Sequence, residues 1–159
     1  MNNAELVKQQ QKINYLFDKT RSLPSDDVEL HSHWARYLCV VCAGFIENSL
    51  KEILKAYVVN CANPAVANYA SRNLNRIQNP KTKRFIEVAG QFKPDWGNAL
   101  GKYAEDENRN NGIDSIMANR HNIAHGKNSG ITIGRLRNYF AKSLEIIEFL
   151  ENQCEGQVH

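Results

Sequence analysis

Residues 118–126 read Ala-Asn-Arg-His-Asn-Ile-Ala-His-Gly and gather Arg120, His121 and His125 within six positions. Arginine offers an always-charged planar fork that matches phosphate oxygens. Histidine serves as acid or base near neutrality. RNA carries its own nucleophile in the 2′-OH. Cleaving it therefore needs only in-line geometry, proton transfer and stabilisation of a charged, phosphorane-like transition state. Arg120 suits the last of these tasks and His125 the proton transfer. On a helix, Arg120 and His125 stand about 140° apart, so a long guanidinium reaches the groove beside the imidazole. His121 and His125 are four residues apart and share a face. His121 could orient a substrate, share proton transfer, or hydrogen-bond only locally.

Two other readings of the same residues stand beside this one. An i, i+4 histidine pair can bind a metal, but Asn122 stands where HExxH has its glutamate, and no third ligand cluster is visible. Arginine and histidine near a helix end can also simply interact with the last carbonyls and the helix dipole.

The remaining candidate groups carry less. Cys39 and Cys42 have CxxC spacing, but they lie in the most apolar helical stretch without a second pair, which points to core packing. His31 and His33 are two apart, on opposite sides of a helix, and cannot chelate one ion. They read as surface or capping residues. Cys61, Cys154 and His159 have no partner at a recognisable spacing. Glu47, the first charge after the apolar run, could orient Arg120, or it could pair with Lys51 one turn on.

Charge is informative by segment. Residues 53–86 hold Lys55, Arg72, Arg76, Lys81, Lys83 and Arg84 with no acid, and residues 115–144 hold Arg120, Lys127, Arg135, Arg137 and Lys142, again with no acid. The whole chain carries only +3, so these two basic stretches sit in an acidic frame. Such separation suits a polyanion, with Lys81, Lys83, Arg84, Lys127 and Arg135 as candidate RNA contacts. The competing reading is two solvated helix faces balanced by their neighbours.

Helical periodicity must position these groups. Leu6, Ile13, Leu16 and Phe17 mark an amphipathic helix from residue 3 to about 22, ended before Pro24. Residues 25–27 supply N-cap chemistry for a long second helix to about residue 60, apolar all round over 37–46 as befits a central helix. Asn63-Pro64 opens a helix to about residue 77, and Asn79-Pro80 breaks the chain before a basic helix ending near Phe92. Residues 93–97 read as a turn, then a brief helical piece runs to about 105, and 106–111 as a loop. Ile113, Ile116, Met117 and Ile123 mark the helix that carries the motif. It stops at Gly126, a residue suited to the left-handed conformation. After a loop over 127–131, Thr132 caps a last helix. Period-two alternation is nowhere sustained, so the expected architecture is an all-α, up-and-down helical bundle in a single domain spanning residues 1–159.

Residues 120–125, Arg-His-Asn-Ile-Ala-His, resemble the R-(Asn/Asp/His)-x-x-x-His signature of the HEPN superfamily, specifically the RiboL-PSP-HEPN group with its RNxIAHG-like motifs. The long helix around residues 36–53 and the closing Ile131-Thr-Ile with its amphipathic helix are similar to that group's pattern. The resemblance implies a helical bundle that dimerises and cleaves RNA without a metal or other cofactor, as in many toxin and antiphage systems. It places Arg120 and His125 at the motif's arginine and histidine, and His121 at its polar position. Some HEPN toxins carry a tyrosine two residues after the motif histidine, modified by a partner nucleotidyltransferase antitoxin. Here that place is Lys127, which argues against that mode of control. The alternative within the resemblance is a non-catalytic module that binds RNA, nucleotides or a protein.

With 159 residues, 42% of them apolar and 23% charged, the chain has enough material for a core and does not read as a disordered tail or a fibrous repeat. The first residues show neither a signal-peptide apolar stretch nor an arginine-rich leader. The longest apolar run falls well short of a bilayer's thickness. Both observations, with four cysteines in no disulfide-rich pattern, lead to the expectation of a cytoplasmic protein.

Overall fold

The computed structural model describes residues 1–156, so His159 lies outside the described residues. Seven α-helices account for most of them: α1 (Ala4–Lys19), α2 (Val28–Cys61), α3 (Pro64–Asn75), α4 (Thr82–Phe92), α5 (Pro94–Glu105), α6 (Asn110–Ala124) and α7 (Ile133–Cys154). Among the described residues there is no strand, and the bundle is all-α as expected.

Four of the helices, α1, α2, α3 and α7, begin at a side-chain cap. Asn3 accepts the backbone N–H groups of Glu5 and Leu6, Asp27 that of Leu30, Asn63 that of Ala65, and Thr132 that of Arg135. Such caps satisfy donors that the first turn leaves without partners. Two boundaries differ from expectation. The break before α5 is Lys93 alone, in an extended conformation, because Pro94 sits at the first helical turn where its fixed φ and missing N–H are harmless. The loop expected over 106–111 is a single 3-10 turn, Asp106–Asn108, and α6 starts at Asn110.

Helix α2, about 50 Å long, is the axis of the molecule. Leu38, Cys39, Cys42, Ile46, Leu50 and Leu54 are fully buried along it. Helix α7 runs beside α2 in the same direction. Val28 and His31 lie beside residues 131–134, Phe45 meets Phe140, and Ile53 and Tyr57 lie near Glu151 and Cys154. Burial pushes the Cys39 thiol up to about 12 and raises that of Cys42 as well, with Cys39 adding to the latter. Both are therefore neutral packing groups. The His31 ring meets the Pro24 carbonyl at 3.0 Å, and exposed His33 lies 3.6 Å from Glu29.

The motif-bearing helix α6 is held on α2 and α7. Ile113, Ile116 and Met117 are buried, and the Cys39 thiol donates to the Ile116 carbonyl at 3.6 Å. Gly112 lets α6 approach α7, since a Cβ there would sit 2.5 Å from the Tyr139 carbonyl oxygen. At the start of α6, Arg109 donates to Glu145 at 2.6 Å and to Asp106 and Glu107 at 2.9 Å each, and its guanidinium lies 4.2 Å from the Tyr103 ring centre. Tyr103 stacks on Phe149 of α7, so this cluster ties the start of the motif helix to its neighbour. No helix among the described residues is long and apolar enough to cross a membrane.

Candidate functional site

The last turn of α6 is built by its sequence. His125 occupies the C-cap, and Gly126 follows with φ +67°, the left-handed conformation that glycine adopts without penalty. The Gly126 N–H then donates to the Ile123 carbonyl at 3.1 Å and the Lys127 N–H to the Asn122 carbonyl at 2.8 Å. This is the Schellman pattern, and it satisfies two carbonyls that the helix end would otherwise leave open.

On that turn, the rings of His121 and His125 lie with centroids 4.4 Å apart and planes inclined by 55°. Both residues are exposed. Arg120 is half-buried, in line with buried Ile116 and half-buried Ile123 along the helix. Among the described residues no carboxylate lies within ion-pair distance of Arg120, and its side chain makes no hydrogen bond. The guanidinium is thus not consumed by the fold, as that of Arg109 is. An arginine without a carboxylate partner can hold an anion, and solvent-open imidazoles can move a proton.

The other sequence-derived candidates are placed unevenly. Lys81 is exposed and shares a depression of about 350 Å³ with His121, so the structure brings these two together. Lys83 and Arg84 both approach Glu87, at 3.9 and 3.4 Å. Lys127 and Arg135 are exposed, beyond the end of α6 and in the first turn of α7. Glu47 makes no hydrogen bond or ion pair with Arg120. One of its oxygens is 2.7 Å from Lys51 Nζ, and the other accepts the Asn79 N–H at 2.6 Å. Sequence reasoning found the Lys51 pair but missed Asn79, and it missed Arg109 altogether. Among the described residues no group of three or more His, Cys, Asp or Glu side chains gathers in a metal-holding arrangement.

A family model described as RiboL-PSP-HEPN matches residues 4–156, nearly the whole chain. The chain belongs to this family. Neither a curated protein nor a solved structure matches it closely enough to add to that. Within this RiboL-PSP-HEPN domain, Arg120, His121 and His125 stand together on the last turns of α6, just before its glycine-terminated end.

Proposed function

We propose that this RiboL-PSP-HEPN protein is a metal-independent endoribonuclease, with Arg120 and His125 as its catalytic residues and His121 in support. The observation that carries the reading is the end of α6, where Arg120, half-buried and without a carboxylate partner among the described residues, directly precedes His121 of the exposed His121–His125 pair in the chain. In the proposed reaction a histidine takes the proton of the 2′-OH, and that oxygen attacks the adjacent phosphorus in line. The bond to the 5′-oxygen breaks, and a second group returns a proton to the departing oxygen. Arg120 stabilises the charge that builds on the phosphoryl oxygens. The products are a 2′,3′-cyclic phosphate and a 5′-hydroxyl.

Concerted cleavage benefits from both a base and an acid. A homodimer with two Arg120/His125 motifs facing across a twofold axis supplies both, and twofold pairing is the commonest self-assembly. Full activity of a monomer, measured by sedimentation and cleavage over one dilution series, assigns the second proton carrier to His121 instead. The biological setting proposed is a toxin or antiphage effector in the cytoplasm, acting alone or with an antitoxin or defence-system partner.

The test is incubation with single-stranded RNA, with and without a chelator, and analysis of the product ends. Cleavage that survives the chelator and leaves cyclic phosphate ends supports the nuclease. RNA binding without cleavage identifies a non-catalytic module that uses the same basic surface.

A further inference from the structure

Beside the motif, the depression of about 350 Å³ is walled on one side by Asn79 and Lys81, from the turn between α3 and α4. Its other wall is Met117, Ala118, His121 and Asn122 of α6. Its size falls within the range of small-ligand sites. Met117 is buried and contributes apolar surface, and no acid lines the space. The side-chain amides of Asn79 and Asn122 have no hydrogen-bond partner among the described residues.

The rim is held from both sides. Glu47 of α2 accepts the Asn79 N–H at 2.6 Å, and Asp114 of α6 accepts the Thr82 N–H at 2.8 Å. The Thr82 hydroxyl donates to the Asn110 carbonyl at 3.1 Å. Between these anchors Asn79 has φ +47°, a left-handed conformation that asparagine tolerates better than most residues. A turn fixed in advance loses less freedom when a ligand binds.

We propose that this depression is a nucleobase subsite that holds the base of a nucleotide flanking the scissile phosphate, its hydrogen-bonding edge read by Asn79 and Asn122. The inference rests on the nuclease reading for its phosphate and on the depression for its base. An asparagine amide presents a donor and an acceptor side by side, the pattern that base edges complement. Proteins that read single-stranded RNA do so by taking splayed bases into such sites. His121 links the two halves: it lines the depression and also contacts the ring of His125. A phosphate held at Arg120 and His125 thus has the base site one imidazole away. Lys81 at the rim faces the backbone of the same nucleotide.

Two measurements test this and separate it from the nuclease reading. In the first, the ¹⁵N-labelled protein is titrated with each of the four nucleoside monophosphates and with ribose 5-phosphate. The side-chain amide signals of Asn79 and Asn122 should move with the nucleotides, unequally among bases, and stay in place with ribose 5-phosphate. Equal movement with ribose 5-phosphate, or none with any nucleotide, overturns the subsite. In the second, oligonucleotides with a single cleavable ribonucleotide are varied in the bases flanking the cut. The ratio between best and worst base, roughly tenfold for one good amide–base pair, should collapse toward unity in Asn122→Ala and Asn79→Gly. Glycine is used at residue 79 because it keeps the left-handed backbone unstrained. A ratio unchanged by both substitutions overturns the subsite while leaving the nuclease intact. A protein that binds nucleotides through these amides yet cleaves no RNA overturns the nuclease and leaves the subsite standing.

Discussion

His121 and His125 stand one helical turn apart with ring centroids separated by 4.4 Å, directly before Gly126 turns the chain out of α6 with φ +67°. The turn that ends the helix at His125 therefore depends on the left-handed backbone of Gly126. A Cβ at residue 126 would meet nothing within 4 Å, so the penalty for Gly126→Ala is backbone strain alone. It should cost about 1–2 kcal/mol in urea denaturation. Gly126→Asn should cost less, because asparagine visits this region more readily. Equal stability of Gly126→Ala and the parent would show that the terminal turn relaxes freely.

The basic residues should not contribute equally to RNA affinity. Lys81, Lys127 and Arg135 are exposed with no carboxylate partner among the described residues, whereas Lys83 and Arg84 share Glu87. Removing an unpaired cation that contacts phosphate should lower the slope of log K against log salt by about 0.7 on single-stranded RNA. Lys81→Ala should therefore flatten the salt dependence more than Lys83→Ala. The reverse order, measured by fluorescence anisotropy at several salt concentrations, would remove Lys81 from the RNA surface.

Thiol chemistry checks the core independently of RNA. Cys61 is exposed, while burial pushes the thiols of Cys39 and Cys154 up to about 12, with Glu151 and Glu155 adding to the effect at Cys154. A disulfide reagent at pH 8 should modify Cys61 first, Cys154 slowly, and Cys39 and Cys42 only on unfolding. The same shifts set an alkaline limit. A buried thiol ionises more readily once unfolded, so its stabilising contribution is full below the ordinary thiol range of about 8.5. That contribution falls as pH rises toward about 12. Rapid labelling of all four cysteines in the folded protein would contradict the packing of α2.

The helices were legible because their apolar residues recur every three to four positions and their first turns carry Asn, Asp, Thr or Pro. Helix α2 illustrates this, running from the Asp27 cap to Cys61 close to its expected ends. The start of α5 was less legible, since Lys-Pro-Asp-Trp-Gly has the composition of a turn and only Pro94 reveals a helical first turn. The motif turn could be read from Gly126 and the spacing of its histidines. Long-range polar partners could not. Arg109 draws Glu145 from 36 residues away, and Glu47 reaches Asn79, 32 residues on, in place of Arg120. No local periodicity encodes such pairs, which exist only once the bundle closes. Asn79 reads in the sequence only as part of a chain break and Asn122 only as a departure from a metal motif, because the depression they share forms only once α6 packs beside the turn between α3 and α4.

The most direct test of the account is single-turnover cleavage of one RNA by the parent, Arg120→Ala and His125→Ala, with helicity and unfolding midpoints measured on the same samples. Each substitution removes a side chain that makes no hydrogen bond or ion pair within the described residues. Both variants should fold like the parent and cleave roughly 10² or more slowly. Near-parental rates in both would contradict the assignment of Arg120 and His125 as the catalytic pair.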